Sequence, residues 1–141
     1  MRLAAGLTQA GLTERSGVAQ PNLAAYESGR RRPSATMLAR LQEAAPPRPS
    51  VVLARHRDEI VELAHRHGAE DVRVFGSVAR GADVSGHGLD LLVRFDEDAD
   101  LYDLADLVAA LEELTDLSVN VVSDGGIPPG AHPVRDEAVR I

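Results

Sequence analysis

Three prolines, Pro46, Pro47 and Pro49, fall within four consecutive positions of the stretch AAPPRPS at residues 44–50. Proline has no amide hydrogen, fixes its own φ and pushes the residue before it out of the helical region, so no single helix runs through this stretch. It reads as a division of the chain into residues 1–46, a linker at 47–50 and residues 51–141. A length of 141 residues then leaves two small domains, each with a modest core. Charge divides at the same place. Up to Arg48 there are seven arginines and three acids (Glu14, Glu27, Glu43), a net +4, whereas from Pro49 onward eight arginines face nineteen acids, a net −11. Such a split suits two domains with opposite electrostatic roles. Aromatic residues make up 3% of the chain, so both cores must be aliphatic. With no cysteine, disulfides, thiolate nucleophiles and cysteine-ligated zinc are excluded. No apolar run reaches membrane-spanning length, and the expectation is a cytoplasmic protein with no membrane association.

The basic part carries three short helix patterns. LTQAGLTERSG starts at a potential N-cap, Thr8, and stops at Gly17; AQPNLAAYESG tolerates Pro21 in its first turn and closes at Gly29; SATMLARLQEA begins with Ser34 as N-cap. Two short helices separated by SGVAQP have the proportions of a helix-turn-helix, in which the second helix enters the major groove. Gln20 and Asn22 fall in its first turn and carry amides able to read an adenine edge, and Gln9 is a further candidate contact. Arg30, Arg31 and Arg32 follow the helix and suit phosphates. The words LTQ, SGVAQP and YESGRRRPS at these separations make the segment resemble the helix-turn-helix domain of the Xre/Cro repressor family. That resemblance implies a double-stranded DNA operator, transcription regulation and a homodimer.

The acidic part predicts a helix over VVLARHRDEIVELAHRHG, then a strand at DVRVF, a short helix, a strand at LDLLVRF (89–95), a helix from Leu101 capped by Asp100 with Asp103, and a strand at LSVNVVS (117–123). The tail from Gly125 gives loop and a last turn. Gly76 and Ser77 directly after a strand form a turn that could cradle phosphate, with Arg80 adding charge. Position 88 and Asp90 are two apart, so in a strand they face the same way.

FGSVARG followed by GLDLLV resembles the minimal nucleotidyltransferase family, which has the DNA polymerase β-type fold. The resemblance runs from about residue 51 to the C-terminus. It implies nucleotide binding through Gly76, Ser77, Arg80 and Asp90, with ATP as the nucleotide. The family holds two Mg²⁺ ions on three carboxylates, an Asp-x-Asp step and a third on a later strand. Here those positions are Gly88, Asp90 and Asn120. Asp90 is thus the single metal-ligand and catalytic candidate, Mg²⁺ is implied only for an active site, and Asp83 and His87 are the nearby substitutes. Restoring carboxylates at 88 and 120 together is expected to recover Mg²⁺-dependent ATP binding.

The fold expected is α plus α/β: a small all-helical helix-turn-helix domain followed by a minimal nucleotidyltransferase-like α/β domain with a short mixed sheet. In chains of this resemblance the second domain is often an antitoxin that pairs with a HEPN toxin, and a fused repressor domain would permit autoregulation. Two functions are expected from different classes. One is a DNA-binding regulator whose second domain is non-catalytic and senses nucleotide or binds a partner. The other is an active nucleotidyltransferase that moves AMP from ATP to a HEPN toxin.

Overall fold

The computed structural model describes Leu3 and residues 5–141. Two compact units emerge, Met1–Arg48 with Val84–Gly86, and Pro49–Asp83 with His87–Ile141. Among the described residues no helix is long and apolar enough to cross a membrane.

The first unit contains α1 (Gln9–Ser16), α2 (Gln20–Glu27) and α3 (Ala35–Ala44). Thr8 caps α1 by accepting from the Gly11 amide at 3.0 Å, and Ser34 caps α3 by accepting from the Met37 amide at 3.1 Å, as their positions predict. The turn between α1 and α2 is built by residues 16–18. Buried Ser16 donates its hydroxyl to the Leu12 carbonyl at 2.6 Å and accepts from the Val18 amide at 3.2 Å. Gly17 adopts φ +71, and a Cβ there would lie 2.6 Å from the Arg40 guanidinium, which donates to the Ser16 carbonyl at 2.6 Å. The positive φ favours glycine at this corner, and any side chain there would displace the Arg40 guanidinium from its present position. Leu12, Val18, Leu23 and Leu41 fill the core with Ala5 and Ala45.

In the second unit α4 (Pro49–Arg55) and α5 (Arg57–Arg66) lead into β1 (Ala69–Phe75), α6 (Gly76–Ala79), β2 (Leu89–Phe95), α7 (Leu101–Thr115) and β3 (Val119–Ser123). This is the predicted order, with two differences. The helix expected across 51–67 breaks at His56, whose φ of −112° and ψ of 17° leave helical geometry. The linker expected at 47–50 ends sooner, because Pro49 is buried and opens α4. Proline suits a first helical position, where its missing amide hydrogen costs no bond. The Asp100–Asp103 capping box forms as read, with Asp100 accepting from the amides of Tyr102 and Asp103.

The sheet has the order β3-β2-β1-β4, with β2 and β3 parallel and the other pairs antiparallel. Leu89, Leu91 and Val93 face a core shared with Ile60 and Ala64 of α5 and Leu107 and Leu111 of α7. Strand alternation sends Asp90, Leu92 and Arg94 to the opposite face, with Asp90 in register with Asn120 of β3. A register shift between Glu70 and Arg73 bends β1, with Asp71 at φ +53, a conformation aspartate tolerates better than most side chains.

The tail is more ordered than loop and a last turn. A 3₁₀ turn at Asp124–Gly126, α8 (Pro133–Glu137) and β4 (Val139–Arg140) return the chain to β1. One ion network fastens this return. Asp124 accepts from Arg135 at 2.9 Å and from Arg73 at 3.3 Å, and Arg135 also donates to the Pro128 carbonyl at 3.2 Å and to that of Gly130. Arg135 first, and Arg73 with it, hold the Asp124 carboxyl below the usual carboxylate range, against the opposing effect of partial burial. A carboxylate whose folded pKa is depressed contributes stability above its unfolded pKa of about 4 and loses it as pH falls through the folded value. Asp124→Asn is therefore expected to melt at a lower temperature at neutral pH and to show a shallower fall in Tm below about pH 4. Thermal unfolding across pH checks this, and parallel Tm–pH curves for the two proteins would refute it.

Candidate functional site

The end of β1 and the start of β2 meet at one corner of the sheet. Phe75 pairs with Asp90, and Asp90 lies beside Asn120 on β3. Gly76 opens α6 at φ +72, where a Cβ would come 2.3 Å from Asp90 Oδ2. The glycine expected for a close approach to phosphate is thus already demanded by Asp90. Ser77 lies half-buried on α6, and its carbonyl accepts from the Ala82 amide at 2.8 Å. Asp90 Oδ1 accepts from the Asn120 amide nitrogen at 3.4 Å, a long hydrogen bond.

Glu137 is the group that sequence reasoning missed. Its Oε2 accepts from the Gly76 backbone N–H at 3.1 Å, and its Oε1 pairs with Arg80. The Gly76 amide, then Arg80, hold its carboxyl below the usual range. A carboxylate of the chain itself is therefore seated on two of the groups expected to grip phosphate. No local pattern announces this, because 61 residues separate Glu137 from Gly76.

The Mg²⁺ set expected from the family does not fit. Gly88 immediately precedes β2, and a Cβ built there would stand 2.7 Å from the Ser118 carbonyl oxygen. That oxygen accepts the Leu89 amide at 2.8 Å, so the backbone has closed over the space a first aspartate needs. An aspartate restored at 88 to recover Mg²⁺-dependent ATP binding together with one at 120 would therefore require the start of β2 and Ser118 to move apart. Asn120 offers only a neutral amide, and Mg²⁺ prefers anionic oxygens in near-octahedral array. The substitutes are engaged or misplaced: buried Asp83 accepts from the Ser50 amide at 2.8 Å in the first turn of α4, and His87 is exposed. Among the described residues no group of three or more histidine, aspartate or glutamate side chains comes together in a way that could hold a metal ion.

On the first unit, Gln20 stands exposed at the first position of α2. Asn22 is half-buried, and its Oδ1 accepts from Arg31 at 3.3 Å. Arg30 donates to the Ser28 hydroxyl at 3.0 Å, and Arg32 is exposed. Gln9 donates to Glu27 at 2.7 Å, a contact that ties the starts and ends of neighbouring helices. The structure thus gathers Gln20, Asn22 and Arg31 at the start of α2, while Gln9 is engaged with Glu27.

Comparisons with known proteins agree with this division. Residues 1–45 match the helix-turn-helix family, and residues 53–139 match the nucleotidyltransferase domain family. A protein adenylyltransferase MntA of Thermococcus cleftensis is 33% identical over 91 residues, covering 64% of this chain and 89% of the relative. A solved structure assigned as a minimal nucleotidyltransferase is 43% identical with a TM-score of 0.59, covering 65% of this chain and 95% of its own. A toxin–antitoxin crystal structure with AMP-PNP overlaps 50% of this chain and 59% of its own at 19% identity and a TM-score of 0.45, below the likeness that establishes a common fold. The chain therefore belongs to the nucleotidyltransferase domain family, and it carries a helix-turn-helix domain ahead of that domain.

Proposed function

We propose that this chain is a sequence-specific DNA-binding regulator whose nucleotidyltransferase-like domain transfers no nucleotide and serves to bind a protein partner. The observation that carries the non-catalytic part is the corner at Gly88, closed by the Ser118 carbonyl, with Asn120 facing Asp90 as an amide. One carboxylate of three cannot position two metal ions and a triphosphate. Partner binding is favoured over nucleotide sensing because Gly76 and Arg80 are engaged by Glu137. The partner that suits a minimal nucleotidyltransferase antitoxin is a HEPN toxin, and the basic first domain then supports autoregulation in the cytoplasm. DNA reading rests on Gln20 and Asn22, with the homodimer binding a pseudo-palindrome, since one short helix covers too few base pairs alone.

The second reading is an active enzyme moving AMP from ATP to that toxin. It is favoured by the retained Asp90 beside the Gly76 turn and by the adenylyltransferase relative. Radiolabelled ATP with Mg²⁺ and a candidate HEPN partner separates the two. No labelling is expected from the unmodified protein, and robust labelling lost in Asp90→Ala would establish the enzyme.

The DNA interface is checked by gel shift across a salt series. Gln20→Ala is expected to cost about 1–3 kcal/mol of discrimination between operator and mismatched sequence with the salt slope unchanged. Arg32→Ala should weaken binding to every sequence and flatten the slope of log K against log salt by about 0.9. Arg31→Ala should do both, because Arg31 also holds the Asn22 carbonyl oxygen. Identical slopes for the wild type and Arg32→Ala would remove the phosphate role.

A further inference from the structure

Four of the polar groups at the corner where the family places phosphate and metal, the Asp90 carboxylate, the Gly76 amide, Arg80 and Asp83, have partners inside the chain. Asp90 has the Asn120 amide, while the Gly76 N–H and Arg80 have Glu137. Asp83, the nearest spare carboxylate, receives the Ser50 amide. We infer that this corner is a self-satisfied clasp, in which Glu137 occupies the phosphate cradle and thereby locks the C-terminal segment α8–β4 onto the sheet. The inference rests on the non-catalytic reading above and adds a role for the groups that survive.

Three features favour a clasp over a vacant ligand site. The carboxylate of Glu137 stands at the end of α8, two residues before β4 begins, so its hold on Gly76 fixes where the last strand meets β1. The last strand is itself weakly held: β4 has two residues, Val139 is 53% exposed, and the Ile141 amide reaches the Val72 carbonyl at 3.4 Å. An edge strand so short depends on whatever anchors its ends. At the other side of the corner, Gly88 leaves no space for a side chain that could draw Asp90 toward a cation. The first anchor, Arg135 on Asp124, lies at the start of the returning segment, and Glu137 lies at its end.

Native-state hydrogen exchange on the full chain tests the clasp, in the absence of nucleotide. Glu137→Ala should raise exchange at the Val139 and Ile141 amides by about tenfold or more while leaving β2 and β3 amides near their wild-type rates, since local opening is separable from global unfolding. Glu137→Gln, which keeps an acceptor for Gly76 but loses the charge facing Arg80, should fall between. Thermal unfolding with and without Mg²⁺ supplies the second arm. Asn120→Asp sets two carboxylates against each other and should lower Tm at neutral pH, with no recovery on adding Mg²⁺. Gly88→Ala should destabilise the protein, and Gly126→Ala, whose Cβ meets nothing within 4 Å, should not. Unchanged β4 exchange in Glu137→Ala, or a Mg²⁺-dependent rise in Tm of the wild type or of Asn120→Asp, would overturn the clasp. The failure of the non-catalytic reading is distinct from these outcomes, because it shows as Mg²⁺-dependent labelling by the wild type whatever the exchange rates are.

Discussion

The hydrogen bond from the Gly76 amide to Glu137 joins the turn after β1 to the last helical turn of the chain, and much of the second unit's order follows from it. A side chain at Gly76 would run into Asp90 Oδ2, and its φ of +72 suits glycine. Its amide donates to the returning tail, where the Glu137 carboxylate meets it together with Arg80. A charged acceptor makes a stronger bond than a neutral carbonyl. With Asp124 fixing the start of the same segment through Arg135 and Arg73, a tail rich in glycine and proline acquires a helix and a strand that its local propensities do not supply.

The first unit answers a different demand. Its small core leaves little margin for a loose corner, and the turn between α1 and α2 is fastened by Ser16, Gly17 and Arg40 rather than by apolar contact alone. A rigid corner fixes the angle at which α2 presents Gln20 and Asn22. Arg31 restrains Asn22 further, so under the proposed function the side chain assigned to base reading is ordered before any ligand arrives, which would lower the entropy lost on binding.

Periodicity and capping made most of the architecture legible. Thr8, Ser34 and Asp100 cap the helices their positions announce, and the strand, short helix, strand, helix, strand order follows the alternation of apolar runs. The break at His56 was not legible, because the apolar spacing of Leu53, Ile60 and Ala64 continues across it in phase. The start of α4 at Pro49 was hidden by neighbouring prolines that read as linker. At the candidate site, the missing carboxylates at 88 and 120 are plain in the residue letters. What the letters cannot carry is the closure over Gly88 by the Ser118 carbonyl and the arrival of Glu137, both of which depend on contacts distant in sequence.

The two replacements at the corner are physically coupled. Three carboxylates converge on one site only when cations neutralise them, since unit charges about 4 Å apart repel by roughly 4 kcal/mol even at an effective dielectric constant of 20. A chain that does not hold the metals is left with that repulsion, and removing one carboxylate relieves only part of it. Asn120 turns the remaining contact with Asp90 from repulsion into a hydrogen bond, while keeping almost the volume of aspartate. Gly88 removes the third charge and lets the Leu89 amide and Ser118 carbonyl close the first rung between β2 and β3 at 2.8 Å. Asp90 has a role in the fold itself: its carboxylate packs against Gly76 and accepts from Asn120. Retention of that one aspartate is accordingly what a structural corner requires, and it does not by itself argue for chemistry.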